Sequence, residues 1–390
     1  MGDASRFDSL TADQLRARGS MKWTRFPDAI GAFVAEMDFG VAEPVERALH
    51  DAVSAAAFGY LPDATGSALS EAAADWFADH YHWTVDPAMI RPVADVLSAL
   101  DVVLDRFGDV SAPVVLPTPA YMPFLRIPPR HGRELIEVPM IAGDAGYVLD
   151  LEAIERALAP RGGLLILCNP CNPVGRVFRT EELQAVAEVV ARTGARVFSD
   201  EIHAPLVYPG HRHIPYASVS DATAAHTITA TSASKAWNLP GLKCAQLVFS
   251  NDDDLHVWTD GGAAMAAAGP SNLGVVASTA AYRDGGSWLA EVIAYLDGNR
   301  MALRDALRDR LPAVGYLPPE GTYIAWLDWR RYDLGGSAAA VLLREAGVAL
   351  TDGALCGAAG RGFTRLVFAT PRPILVEAVE RMATAVHARV

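Results

Sequence analysis

The stretch Thr229-Ala-Thr-Ser-Ala-Ser-Lys-Ala-Trp-Asn-Leu-Pro-Gly-Leu-Lys243 decides how this chain is read. An apolar, β-prone run from Thr227 to Thr231 ends in small hydroxyl residues and then delivers one lysine, Lys235, into a turn. A strand that stops at Ser-x-Ser-Lys leaves that lysine at the carboxyl end of a sheet, where open α/β sheets hold their ligands. Ser232 and Ser234 are placed to donate hydrogen bonds to an anion, and Lys243 adds a second cation. A lysine partly withdrawn from water beside another cation has a lowered pKa and serves as an amine nucleophile. Taken alone, Lys235 reads equally as a loop lysine paired with a carboxylate. Its company along the chain separates the two readings.

Upstream, Pro113 to Leu116 is a short buried strand ending in Pro117-Thr-Pro-Ala-Tyr121. Gly163 to Leu167 is a continuous apolar strand that runs into Cys168-Asn-Pro-Cys-Asn-Pro-Val-Gly175, and Ala195 to Phe198 delivers Ser199-Asp-Glu-Ile-His203. Downstream, Cys244 to Phe249 continues the series. Helical periodicity marks Pro44 to Ala57, Ser67 to Tyr81 and Thr180 to Thr193, and Val93 to Phe107 reads as a loop feeding a helix. Short, fully apolar strands separated by helices indicate a mostly parallel sheet covered on both faces. Past a single long helix from Gly286 to Arg310 come a strand (Thr322 to Asp328), a helix (Ala338 to Ala346), a strand (Arg365 to Phe368) and a helix (Pro373 to Ala388). That run suits a smaller α+β domain. Residues 1–45 hold little pattern beyond the apolar run Ile30 to Val34 and are read as an extended arm that joins the small domain. The expected division is 1–45 arm, 46–285 large domain and 286–390 small domain.

The chain of 390 residues is 51% apolar and 20% charged, an ordinary globular composition. A formal charge of −13 argues against nucleic acid, whose phosphates call for a basic face, yet leaves room for a local cationic pocket. Of the four cysteines, Cys168 and Cys171 have the spacing of a redox or metal pair. No second such pair and no histidine at ligand spacing follows, which argues against both roles. So few cysteines in so long a chain fit a reducing cytoplasm. Met1 to Arg18 is of mixed charge without an apolar core, unlike a secretory signal. The richest apolar stretch, Ala263 to Ala281, is broken by Gly269, Pro270, Ser271 and Asn272, so no membrane span is expected.

Four strand ends therefore point polar residues at one rim: Tyr121, Asn172, Asp200 with His203, and Lys235 with its serines. Each has an ordinary reading: Asp200 as a helix cap, Asn172 as a turn residue, Tyr121 as core. One cofactor explains the set, pyridoxal phosphate (PLP), held by a lysine with an acidic partner on its pyridine nitrogen.

The order Tyr…Asn-Pro-x-Gly…Asp-x-x-His…Ser-x-Ser-Lys resembles the fold-type I PLP enzymes of the class I/II aminotransferase family. The likeness is closer to its branch of cystathionine β-lyase-like C–S lyases, the MalY/PatB group. Met21-Lys-Trp-Thr, Val34-Ala-Glu-Met-Asp-Phe39, Cys168-Asn-Pro-Cys-Asn-Pro-Val-Gly-Arg176, Asp200-Glu-Ile-His203, Asn238-Leu-Pro-Gly-Leu-Lys243, Tyr295-Leu-Asp-Gly-Asn299 and Phe368-Ala-Thr-Pro-Arg372 carry it over nearly the whole chain. The resemblance implies a three-layer αβα PLP-transferase large domain plus a smaller α+β domain. It implies that Lys235 holds the cofactor covalently and moves protons at the substrate carbons. Asp200 then keeps the pyridine nitrogen protonated, Asn172 and His203 face the ring's 3-oxygen, and Tyr121 stacks on the ring. The phosphate is met by amides of Val96 and Leu97 at a helix start, by Ser232, Ser234 and Lys243, and by the partner subunit's Tyr60 in a homodimer with a shared site. Arg365 grips the substrate α-carboxylate, beside Val34 and Ala35, while Arg372 is structural.

The chain departs from the family pattern at Asp95, where a small residue is usual, at Cys171, where histidine is frequent, and at Glu36 and Phe33, where aspartate and tryptophan are common. An acid at Asp95 repels phosphate unless it turns away to cap the helix. The resemblance implies α,β-elimination on L-cystathionine or related cysteine S-conjugates, giving a thiol (homocysteine), pyruvate and ammonia. No isolated residue dictates elimination over transamination, so an aminotransferase is the second expectation and a regulator acting through a partner the third.

Overall fold

The computed structural model describes residues 4–109, 111–143, 146–260 and 262–389. Seven strands form its centre: β1 (Ile90–Val93), β2 (Val114–Thr118), β3 (Leu135–Pro139), β4 (Leu164–Cys168), β5 (Arg196–Asp200), β6 (Thr227–Thr231) and β7 (Ala245–Phe249). Their order is β1-β7-β6-β5-β4-β2-β3. β2 to β6 are mutually parallel, and β7 runs against both of its neighbours. Register aligns the strand ends that matter: Cys168 sits opposite Asp200, and Asp200 opposite Ala230.

Side chains alternate along a strand, and here both faces are covered. Leu164 and Ile166 of β4 pack with Val114, Phe198 and Ile228 against helix α1 (Val96–Arg106). Leu165 and Leu167 pack with Val115 and Val197 against α2 (Leu151–Leu158) and α3 (Thr180–Thr193). The result is three layers, helix on sheet on helix. A second, antiparallel sheet of β8 (Gly315–Tyr316), β9 (Ile324–Asp328), β10 (Thr351–Asp352) and β11 (Phe363–Val367) has the order β8-β9-β11-β10. It follows the long helix α4 (Gly286–Arg310), which packs on α5 (Arg372–His387). Among the described residues no helix is long and apolar enough to cross a membrane.

Two differences from the sequence reading stand out. The edge strands β1 and β3 carry half-exposed residues and a proline each, so they lack the apolar run that marks the inner strands. The N-terminal segment is not extended throughout: Ala12–Ala17 and Met21–Thr24 are short helices, the first closed by a Thr11–Gln14 capping box.

That segment is tied into the molecule by buried charge. Lys22 and Asp38 are both buried, with Lys22 Nζ 2.8 Å from Asp38 Oδ2. Nζ also donates to the carbonyls of Ala369 (3.1 Å) and Glu36 (3.3 Å), and Trp23 Nε1 donates to Asp38 Oδ1 at 2.8 Å. Ile30–Gly31 pairs in parallel with Val348–Ala349. Only glycine fits at Gly31, because a Cβ there would lie 1.9 Å from the Lys22 carbonyl oxygen. Breaking a buried pair strands the surviving charge. Lys22→Met is therefore expected to destabilise the fold by about 3–5 kcal/mol in urea unfolding, with Lys22→Met/Asp38→Leu recovering much of the loss.

Candidate active site

The predicted residues converge above the carboxyl ends of β2, β4, β5 and β6. Ser232 follows β6 and caps a single helical turn, Ala233–Ala236, by accepting from Ser234 N–H at 3.0 Å. The turn projects the Lys235 side chain inward, where Nζ donates to the Ala35 carbonyl at 3.0 Å. Burial lowers the Lys235 pKa to about 8, and the cations Arg365 and Lys243 act in the same direction against Glu36 and Asp200. Ala35 O also accepts from the buried Tyr323 hydroxyl at 3.1 Å. Asn238, in the left-handed region at φ 61°, clamps the same segment. Its side chain bonds Met37 N–H at 2.9 Å and the carbonyls of Met37 and Gly40 at 3.0 Å each.

Asp200 ends β5 and is buried, and that burial lifts its carboxyl to about pKa 6. His203 lies one turn on, buried, edge-to-face with Tyr323 at 5.9 Å. Burial holds its imidazole neutral, with a pKa near 3, and its Nδ1 has no partner. Arg365 projects from β11 and is fully enclosed: Nη1 donates to Asn172 Oδ1 at 3.3 Å and Nη2 to the Phe33 carbonyl at 2.8 Å, while Nε has no partner. With its oxygen on Arg365, the Asn172 amide turns its NH2 away as a donor. Tyr121 follows β2, and its hydroxyl is held protonated chiefly by burial, with Arg365, Asp200, Asp95 and Lys243 as the nearby charges.

The anion end is built from α1 and the loop before β7. Val96 and Leu97 open α1 ahead of its first internal bond, Ala99 N–H to Asp95 O, so their amides face outward at a helix N-terminus. Asp95 does turn away to cap: Oδ1 accepts from Ser98 N–H (2.8 Å) and its hydroxyl (2.9 Å). Its Oδ2 pairs with Lys243 Nζ at 2.8 Å. The Ser232 hydroxyl proton is engaged at Cys244 O, 2.6 Å away. Tyr60 lies outside the constellation of its own chain, fully exposed near Phe58. Arg372 Nε donates to Asn299 Oδ1 at 3.1 Å and its backbone N–H donates to the Tyr295 hydroxyl oxygen, away from these groups. Among the described residues all four cysteines are free and no group could hold a metal ion.

Sequence reasoning missed Tyr323, Phe33 O and the Lys22–Asp38 anchor, whose roles arise only from the tertiary meeting of distant segments. The residues present fit PLP. Two buried nitrogens without a partner among the described residues (His203 Nδ1 and Arg365 Nε), a desolvated amine and open helix amides supply the chemistry that its aldehyde, 3-oxygen and phosphate require. Removing the Arg365 charge relieves repulsion on the Lys235 ammonium. NMR titration of methyl-labelled Lys235 in cofactor-free protein is expected to give a midpoint of about 8, moved upward in Arg365→Gln.

The profile of the aminotransferase class I and II family matches residues 34–382. Cystathionine beta-lyase of Corynebacterium glutamicum is 38% identical over 385 residues, 97% of this chain and 99% of that protein. A Corynebacterium diphtheriae structure described as a PLP-dependent beta-cystathionase is 41% identical with a TM-score of 0.92, over 97% of this chain and 98% of that one. The PLP-bound C–S lyase of Staphylococcus hominis is 28% identical with a TM-score of 0.90, over 97% and 98%. The chain belongs to the class I and II aminotransferase family and has the fold-type I architecture.

Proposed function

We propose that the chain is a PLP-dependent C–S β-lyase, cleaving L-cystathionine or related cysteine S-conjugates by α,β-elimination to a thiol, pyruvate and ammonia. The observation that carries this is the enclosed triangle of Lys235, Asp200 and Arg365 in a chain 38% identical, end to end, to a cystathionine beta-lyase.

PLP, when bound, supplies an electron sink for the substrate's α-carbon. Asp200 would keep a proton on its ring nitrogen, Asn172 Nδ2 and His203 would serve its 3-oxygen, and Tyr121 would pack against the ring. The amides of Val96 and Leu97, with Ser234 and Lys243, would hold the phosphate, and Ser232 caps the turn that carries Ser234 and Lys235. Arg365 clasps the α-carboxylate in bidentate fashion, against the backbone of Val34 and Ala35, which aims the Cα–H at Lys235. The neutral Lys235 amine would take that proton. The Cβ–S bond then breaks, the departing sulfur receives a proton from the Lys235 ammonium, and one water completes the release of pyruvate and ammonia.

A homodimer belongs to this reading. Phe58, Tyr60 and Met265 are exposed on the single chain, at 64%, 101% and 93%, as residues awaiting a partner surface would be. The partner subunit's Tyr60 completes the phosphate site. A cytoplasmic location belongs to the same reading, supported by free cysteines that suit a reducing compartment.

Purified, PLP-loaded protein given L-cystathionine without a keto acid is expected to release thiol and pyruvate in equal amounts over many turnovers, and Lys235→Ala none. A reaction that stalls until a keto acid is added would make the protein an aminotransferase. Tyr60→Phe is expected to weaken PLP binding about tenfold in a fluorescence titration, the loss of one hydrogen bond to a charged group, about 1.5 kcal/mol.

A further inference from the structure

Cys168 has no part in the chemistry just described, yet it touches its centre. It closes β4 as Asp200 closes β5, and the two are register partners across the parallel ladder. The Asn169 N–H bond to Asp200 O, 3.0 Å, locks the two strand ends together. Cys168 Sγ lies 3.4 Å from Asp200 Oδ2 and 3.4 Å from Pro170 O. A thiol has one proton to give, and a carboxylate oxygen is a stronger acceptor than an amide carbonyl. The proton therefore goes to Asp200.

We infer that Cys168 is a positioning residue acting through Asp200: its S–H donates permanently to Oδ2, keeping the buried carboxylate charged and oriented toward the cofactor's ring nitrogen. The inference rests on the C–S lyase reading only for what Asp200 does; the hydrogen bond stands without it. Burial raises the thiol pKa far above its ordinary value, so across the working pH range the sulfur is a donor, not a nucleophile or a metal ligand. Cys168 is free, so no disulfide to Cys171 competes for the sulfur.

Asp200 needs such a donor because burial opposes its charge. The titratable groups around it are Cys168 at the end of β4 and Cys171 in the loop that follows, Glu201 just past the end of β5, Lys235 from the turn after β6, and Tyr121 from the end of β2. Glu201 works against ionisation and Lys235 for it. Two hydrogen bonds reach the carboxylate: Ile202 N–H to Oδ1 at 3.2 Å and the Cys168 thiol to Oδ2. The backbone bond is fixed by the fold. The thiol is the donor that the sequence can change.

The test compares wild type, Cys168→Ala and Cys168→Ser. In cofactor-free full-length protein, carbon NMR of labelled aspartate follows Asp200 through its titration. Loss of the donor disfavours the ionised form, so the Cys168→Ala midpoint is expected to rise, by about one pH unit for a bond to a charged group. Cys168→Ser, whose hydroxyl also donates, is expected to fall between the two. In the loaded enzyme, kcat/KM for elimination should drop by up to about tenfold in Cys168→Ala, and less in Cys168→Ser, at pH values below the wild-type midpoint, with the gap closing as pH rises above both midpoints. A Cys168→Ala midpoint equal to wild type, or serine and alanine variants that titrate alike, overturns the inference. Absence of pyruvate from wild type overturns the lyase reading instead, and the titration still decides the role of Cys168.

Discussion

An amine taken out of water needs an acceptor, and for Lys235 that acceptor is a single main-chain carbonyl, Ala35 O, 3.0 Å away. The bond places the reactive nitrogen, and the burial that makes the bond necessary also makes the amine nucleophilic, since the charged form is the one that loses hydration. Ala35 cannot hold that position alone. Its segment is pinned on one side by Lys22–Asp38 and on the other by Asn238, three residues beyond Lys235 itself. Phe33 O, in the same segment, accepts from Arg365. One stretch of backbone thus sets the lysine and the arginine at the same time, which is the spatial relation that α-proton removal from a clasped carboxylate requires.

Charge is distributed against the average of the chain. The protein carries a formal −13, yet Lys235, Arg365 and Lys243 act on one another inside the site. Repulsion by Arg365 and Lys243 lowers the Lys235 pKa further; Lys235 and Arg365 are given neutral oxygens, Ala35 O for the first and Asn172 Oδ1 and Phe33 O for the second, while Lys243 is paired with the Asp95 carboxylate. An anionic ligand with a phosphate at one end and a carboxylate at the other meets a site already arranged for both. Asp95 fits this picture as a helix cap whose second oxygen steadies Lys243.

The inner strands and the long helices were legible because burial on both faces writes itself as unbroken apolar runs, and Gly286–Arg310 and Thr180–Thr193 have the lengths their periodicity indicates. Lys235, Asp200 and Asn172 drew notice by their places at or just past strand ends, although each also had an ordinary structural reading, and Arg365 was reached through the family resemblance alone. The antiparallel sense of β7 was not legible, since a fully buried strand reads the same in either direction. Nor were the edge strands β1 and β3, half exposed and interrupted by proline. The Lys22–Asp38 pair, the Tyr323 hydroxyl and the Cys168–Asp200 contact were beyond reach for a different reason. Each joins residues far apart in sequence, and nothing local in either partner announces the other.

The central claim is that burial and the Ala35 carbonyl select Lys235 as the one reactive amine. Borohydride reduction of PLP-loaded protein, followed by digestion and mass spectrometry, tests it most directly. The account predicts a phosphopyridoxyl adduct on the peptide carrying Lys235 and on no other. An adduct on Lys243, spread over several lysines, or absent altogether would contradict it.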